Sequence, residues 1–525
     1  MITLRSHVGG RWHEATGGFV ELVDPSTETP VARASTAGID FAAALAFARD
    51  RGGPALRALT FAERAALLKA MSKALYARRD ELLDLSTTNG GSTRRDSKFD
   101  VDGATGTLAY YATVGAELGE RRLLADGDGV QLGRTARFWG QHVWVPRRGV
   151  AVHVNAFNFP AWGFAEKAAV ALLAGVPVVI KPATSTAWTA ARCVEIVIEA
   201  GILPEGALSL VAGSSGDLLE RLGEQDVLAF TGSAATARTL RGLDNLLSRG
   251  TRVNVEADSL NAAVLGPDVA VGSATWDLFV RDVEREITQK SGQKCTAVRR
   301  ILVPRERLAD VRGTLSERLA AVVTGHAADD RVTMGPLATE NQLADAVAGT
   351  ARLASAARIV IGTGRRADGA GAPEGKGYYF PPTVLEAADP GAEVVHQIEV
   401  FGPVATLVPY SGSMPEAAAL VGRAGGSLVT SLYSDNADDV AEFVAEGGAF
   451  TGRLYLGSEK AADQAPGSGV ALPQCLHGGP GRAGGGEELG GLRALALYSQ
   501  RVALQGARPM VERLVGRTQA EPDPA

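Results

Sequence analysis

The chain is poor in cysteine: only Cys193, Cys295 and Cys475 occur in 525 residues. So odd and sparse a set argues against a disulfide framework and suits a reducing compartment. Long apolar runs are missing too, and Met1 to Trp12 alternates polar and apolar residues instead of following the basic-then-apolar layout of an export signal. No helical membrane span is therefore expected, and a cytoplasmic location is. Excess positive charge is also absent. The formal net charge of −6 gives no broad field for phosphate backbones or anionic lipids, so neither nucleic acid nor membrane is expected as a partner. The sequence shows no internal repeat.

What is present is an ordinary globular composition, 46% hydrophobic and 21% charged. A chain of 525 residues exceeds the size at which one core stops growing, so two or three domains are expected. Helical spacing from Thr60 to Leu85 and around Tyr110 predicts a helical layer after a short strand region. From Val150 to Val264 short β-branched runs alternate with Ala-rich stretches, the pattern of βαβ units on a parallel sheet. Strands are predicted at Val150–Val154, Val176–Lys181, Leu208–Val211, Val227–Phe230 and Arg252–Glu256. Helices are predicted at Trp162–Ala174, Thr186–Ala200, Ser215–Leu222 and Ala235–Arg241. A second α/β region runs from Asn261 to about Gly457. Gly478 to Gly491 is too rich in glycine for either element, and it precedes an alternating strand, Ala496–Gln505. The polar, Pro-containing tail after Arg517 is expected to fray.

Parallel sheets bind ligands at the carboxyl ends of their strands, and three unusual polar residues fall in such contexts. Cys295 lies in Ser291-Gly292-Gln293-Lys294-Cys295-Thr296, where small and polar residues suit a tight turn that leaves the sulfur accessible. A lone cysteine is more often buried and inert. Glu256 ends a strand of alternating valines, although a capping or surface acid would look the same. Asn158, in Asn155-Ala156-Phe157-Asn158-Phe159-Pro160, follows another strand, where a turn-forming asparagine is the bland alternative. Their joint appearance, each in its own context, carries more than any one alone.

Those three motifs, with Lys181-Pro182, Phe230-Thr231-Gly232-Ser233 and Phe401-Gly402-Pro403, resemble the aldehyde dehydrogenase superfamily from Gly10-Arg11-Trp12 to about Val502. The resemblance implies an α/β fold with a Rossmann-type parallel-sheet cofactor domain in residues 1–130 and 148–258 and an α/β catalytic domain in 259–465. It also implies a small β oligomerisation arm in 131–147 and 490–507, a C-terminal tail in 508–525, and a homodimer, with a tetramer left open. By the same resemblance Cys295 attacks the aldehyde as a thiolate, and the Asn158 amide with the Cys295 backbone N–H forms the oxyanion hole. Glu256 is implied as the base that activates water against the thioester. Glu488, with Glu487 competing for the role, and Lys167 are implied to carry the proton away; no metal is expected.

For the cofactor, the resemblance implies contacts from Phe157, Lys181, Thr184 and Gly213, with Thr231, Gly232 and Ser233 presenting a helix N-terminus to the pyrophosphate. Glu399 and Phe401 match the positions that hold and flank the nicotinamide ribose. Family members that favour NAD commonly carry a glutamate where this chain has Thr184. A neutral hydroxyl beside Lys181 removes a charge that would repel a 2′-phosphate, so NADP is expected, with NAD as the alternative.

Three features depart from the usual pattern: Ala257-Asp258-Ser259 after the base, the helix start Ala234-Ala235-Thr236-Ala237, and the insertion-like His477-Gly478-Gly479-Pro480-Gly481-Arg482. They resemble the branch that oxidises CoA-linked semialdehydes in aerobic aromatic breakdown, either stand-alone or fused to a hydratase as in phenylacetate ring opening. The stand-alone form is expected because the chain ends shortly after its closing strand. A small-molecule aldehyde, CoA-linked in that branch, is thus the expected substrate, with Arg147, Arg148, Arg299 and Arg482 as candidate phosphate contacts. The competing readings are an acylating dehydrogenase that passes the acyl group to CoA, a thiol esterase without redox chemistry, and a non-catalytic scaffold. Glu256 speaks against the first, and the full catalytic set against the last.

Overall fold

The computed structural model describes residues 1–486 and 490–515. Two seven-stranded sheets and two three-stranded sheets carry the chain. In the first large sheet the spatial order is Arg252–Glu256, Val227–Thr231, Ala151–Val154, Val178–Lys181, Leu208–Leu210, Ser6–Val8 and Arg11–His13. The first five strands run parallel. Val178–Lys181 and Leu208–Leu210 are nearly all buried because helices cover both faces, as continuous apolar strands require. The register pairs Thr231 with Glu256 and Val154 with Lys181, so the carboxyl ends that the sequence singles out lie side by side.

The second large sheet is ordered Ala357–Ile361, Thr383–Ala387, Val404–Tyr410, Arg300–Pro304, Ala262–Leu265, Ser427–Tyr433 and Thr451–Gly457. Only its edge strand Ala357–Ile361 is antiparallel. Separate apolar clusters fill the two halves, one around Phe164, Leu172 and Ile180, the other around Phe279, Ile301 and Leu407.

The helical layer begins at Phe61–Ala77, whose start is fixed by a capping box in which Thr60 and Glu63 satisfy each other's backbone N–H. The helix Pro160–Ala174 has proline at its first turn, and its N–H groups at Ala161 and Trp162 donate to the buried carboxylate of Asp100, at 3.2 and 2.8 Å. That helix is almost wholly buried, so its start, just after Asn158, is held by the core.

The structure departs from expectation in three places. Ser215–Leu222 is not an α-helix: only a 3₁₀ turn, Leu219–Arg221, forms, because Gly216 adopts φ +46° and the chain turns over Phe41. The segment after 507 starts as a helix, Arg508–Leu514, which buries Val511; the tail after Arg517, where fraying is expected, lies outside the described residues. The arm is a three-stranded antiparallel sheet in the order Ser499–Ala507, Phe138–Pro146, Leu124–Gln131. Its third strand starts at Leu124, ahead of the expected arm segment, because Leu124 and Ala125 pair with Trp144 and Val143. No helix among the described residues is long and apolar enough to cross a membrane.

Candidate active site

The turn that carries Cys295 is built from three successive left-handed residues, Lys290 (φ +52°), Ser291 (φ +55°) and Gly292 (φ +66°). Two of these are not glycine, and such backbone is costly unless its surroundings enforce it. The Ser291 hydroxyl donates to Gly335 O at 2.8 Å, and Lys290 Nζ donates to Ser92 Oγ at 3.3 Å and lies 4.7 Å from the Phe159 ring centroid. At Gly292 a Cβ would stand 2.3 Å from Gly402 O, so the Phe401-Gly402-Pro403 run packs directly on the turn. Beneath the turn, Lys294 donates to Glu286 at 2.8 Å in a fully buried ion pair. The Asn261 amide then fixes the backbone by donating to Cys295 O at 2.7 Å and Ala297 O at 2.8 Å. Cys295 is partly exposed, whereas Cys193 is buried, which pushes its thiol far above the usual range.

Asn158, Glu256 and Cys295 line one chamber of about 60 Å³, with Phe99, Phe159, Trp162 and His477 among its walls. The Asn158 amide donates one N–H to Gln293 O at 2.9 Å, and the Gln293 side chain accepts from Ala338 N at 3.0 Å. Glu256 is 6% exposed and follows Asn254 and Val255 on the edge strand of the sheet. The departures after it have a structural reason. Ala257 N donates to Ala483 O at 3.1 Å, which seats the glycine-rich loop against the end of the Glu256 strand. Asp258 accepts from Ala234 N at 2.8 Å, and Ser259 N donates to Glu399 at 3.0 Å. None of residues 257–259 has a positive φ.

The chamber opens into a cleft of about 820 Å³, within the range of ligand pockets, and Asn155, Ala156, Asn158, Thr231, Glu256 and Cys295 line both. Of the expected cofactor residues, Phe157, Lys181, Thr231, Gly232, Ser233, Glu399 and Phe401 line this cleft. Thr184 and Gly213 are not in its wall: Thr184 opens the neighbouring 3₁₀ turn, and Gly213 (φ +137°) packs its Cα against Ser35 and Thr36. Lys181 Nζ donates to Pro182 O at 3.0 Å, and burial lowers its pKa. The helix N-terminus beyond Ser233 is less open than the sequence suggests, since Ser233 caps Thr236 N and Asp258 takes Ala234 N. Arg482 faces that aspartate at 3.9 Å from the cleft wall.

Burial raises Glu399 to about 7 against the opposing pull of Arg299, 3.6 Å away. Were Glu399 to hold a ribose, its ionised form would accept from the hydroxyls more strongly than its acid, so that contribution weakens as pH falls through that value. The KM for cofactor should therefore fall as pH rises from about 6 to about 8, by up to ~10-fold per unit below the pKa. Glu399→Gln should flatten that profile in initial-rate measurements.

Other candidates lie elsewhere. Lys167 pairs with Glu166 at 2.6 Å and lines an adjoining cavity of about 170 Å³, which shares Trp162, Glu166, Ala471 and Leu476 with the Cys295 chamber. Glu487 and Glu488 lie outside the described residues. Arg147 and Arg299 are not phosphate contacts: both are buried, Arg147 donating to Glu224 O and Gln225 O, and Arg299 to Gly402 O and Lys294 O. His477, counted in the sequence only as part of a loop, enters the chamber wall. Burial, helped by Arg453 and Lys167, lowers its pKa to about 3, so the ring is neutral. The one available signal was a histidine directly preceding a glycine run.

The chain matches the aldehyde dehydrogenase family over residues 12–488. It is 46% identical over 479 residues, 91% of this chain and 93% of the relative, to the 3,4-dehydroadipyl-CoA semialdehyde dehydrogenase of Aromatoleum evansii. Among solved structures, it matches the lactaldehyde dehydrogenase of Escherichia coli with a TM-score of 0.84 at 24% identity, covering 96% of this chain and 99% of that one. PnpE in complex with nicotinamide adenine dinucleotide gives a TM-score of 0.81 at 25% identity, covering 96% and 97%.

Proposed function

The chain belongs to the aldehyde dehydrogenase family and is an oxidoreductase acting on aldehydes, and from that premise we propose that it oxidises a CoA-linked semialdehyde to the acid with NADP. The observation that carries the proposal is the convergence of Asn158, Glu256 and Cys295 on a chamber continuous with a cleft large enough for a dinucleotide. The nature of the aldehyde is supported by the extent of the likeness to a CoA-semialdehyde dehydrogenase, 91% of this chain. The preference for NADP is supported by a neutral Thr184 next to a cleft that holds Lys181.

Cys295 Sγ attacks the aldehyde carbon as a thiolate, and the second N–H of Asn158 with the backbone N–H of Cys295 meets the developing negative oxygen. Nicotinamide, when bound, supplies the two-electron oxidant. Lys181 would meet the adenosine end, Glu399 and Phe401 the nicotinamide end. Glu256 then draws a proton from water, whose oxygen adds to the thioester carbon; the C–S bond breaks and the acid leaves. Lys167, in the adjoining cavity, and Glu488 would pass that proton outward. The arm pairs subunits into a homodimer through the edge strand Ser499–Ala507, whose residues alternate between exposed and partly buried from Arg501 onward.

The test is a panel of free aldehydes and CoA-linked semialdehydes, each assayed with both cofactors. The expected result is a higher kcat/KM for the CoA-linked members and for NADP at low cofactor concentration. A clear NAD advantage would overturn the cofactor assignment alone. Release of a new thioester in place of the acid would make the enzyme acylating, and ester cleavage without reduction of cofactor would make it an esterase.

A further inference from the structure

One buried group in the catalytic chamber has no part in the cycle above. His477 is 2% exposed, and its Nδ1 has no hydrogen-bond partner. One imidazole nitrogen, Cys295 Sγ and a Glu256 carboxylate oxygen all lie within 4.8 Å of one another. The ring is held in place by its backbone. At Gly452, on the strand Thr451–Gly457, a Cβ would stand only 1.6 Å from Gly478 O, so the residue after His477 lies flush on the second sheet. On its other flank the loop is tied by Ala257 N to Ala483 O and by Gly479 N to Gly486 O, both at 3.1 Å. Three elements thus bring the donors together: a strand end, a left-handed turn and the glycine-rich loop.

Thiolate, imidazole and carboxylate are the three protein ligand types of zinc. Bonds of about 2.3 Å to sulfur and about 2.0–2.2 Å to nitrogen and oxygen place tetrahedral ligands roughly 3.3–3.7 Å apart. The donor atoms here lie within 4.8 Å of one another, so zinc binding requires the Glu256 or Cys295 side chain to draw in by about 1 Å. We propose that Cys295, Glu256 and His477 form a three-ligand zinc site that is mutually exclusive with catalysis. The fourth position faces the chamber and is taken by water, as in zinc sites with three protein ligands. Binding releases the thiol proton to solvent, forms three metal–ligand bonds and transfers no electrons. Zinc here is an inhibitor, because it occupies the nucleophile and the base together. That inhibition rests on the dehydrogenase reading; the binding does not.

The experiment uses the full chain carrying Cys475→Ser, since Cys475 is exposed and would take up metal on its own. Zinc is titrated in competition with a chromophoric chelator, and alkylation of Cys295 by iodoacetamide is followed by mass spectrometry with and without zinc. The expected result is one zinc per chain, protection of Cys295 that a chelator reverses, and binding weakened by at least ~100-fold in His477→Asn, more than loss of an outer-shell partner costs. X-ray absorption on the zinc-loaded chain with His477 intact should show a single sulfur ligand together with imidazole, a readout that needs no second variant to fold. Zinc affinity unchanged in His477→Asn, alkylation unaffected by zinc, or a coordination shell without imidazole would each overturn the site. If zinc binds as described but no aldehyde is oxidised, the dehydrogenase reading fails and the site stands.

Discussion

Glu256→Gln is expected to leave the first turnover intact and stall the second: a burst of one equivalent of reduced cofactor per active site, then a steady-state rate lower by ~10²–10⁴. In the proposed cycle attack and oxidation draw on Cys295, its oxyanion donors and bound nicotinamide, whereas release of the acyl group needs a base for water. Glutamine keeps the volume and the polar head of a side chain that is 6% exposed, and the strand pairing of Glu256 with Thr231 is made by backbone alone. Stopped-flow absorbance of the reduced nicotinamide gives the burst, and intact-mass spectrometry should find the acyl group on Cys295. Loss of the burst along with the steady state would place Glu256 upstream, as the group that deprotonates Cys295. A steady-state rate unchanged from wild type would remove it from the reaction.

The parts of this molecule that depend on local order were readable from the sequence, and those that depend on distant contacts were not. The parallel strands from Ala151 to Glu256 announce themselves because burial on both faces demands continuous apolar residues, and each ends at a polar residue that the sheet register sets beside the next. Cys295, Glu256 and Asn158 are accordingly found where their strand-end and turn contexts suggest. Ser215–Leu222 misled because its leucines have helical spacing while Gly216 takes a left-handed turn against Phe41, a contact from the far N-terminal part of the chain. The Leu124–Gln131 strand, interrupted by Gly127 and Gly129, carries no clean alternation, and only pairing with Phe138–Pro146 makes it a strand. Asp258 and Ser259 stand out in the sequence only as a departure from the usual pattern. Their purpose lies in partners far away in sequence, Ala234 for one and Glu399 for the other. His477 was invisible for the same reason, since nothing beside it reveals that the glycine run folds back onto the end of the Glu256 strand.

Asn158→Ala should lower kcat by ~10²–10³, the usual cost of one oxyanion-hole donor, and unlike the Glu256 substitution it should abolish the burst. The amide is 8% exposed and held by its bond to Gln293 O, so in the folded chain it is already aimed at the chamber and spends nothing on reorientation as charge develops. Alanine removes that donor and leaves Gln293 O without one partner, so part of any loss could come from a displaced nucleophile turn. Two measurements separate the causes. Cys295 alkylation by iodoacetamide passes through no oxyanion, and its rate should stay within about threefold of wild type if the turn is undisturbed. Asn158→Asp, which keeps the shape but replaces donor with a negative charge, should be slower than alanine because it repels the oxygen it is meant to hold. Equal rates for Asp and Ala, or alkylation slowed in step with turnover, would make Asn158 a brace for the Cys295 turn and would leave the oxyanion to the backbone.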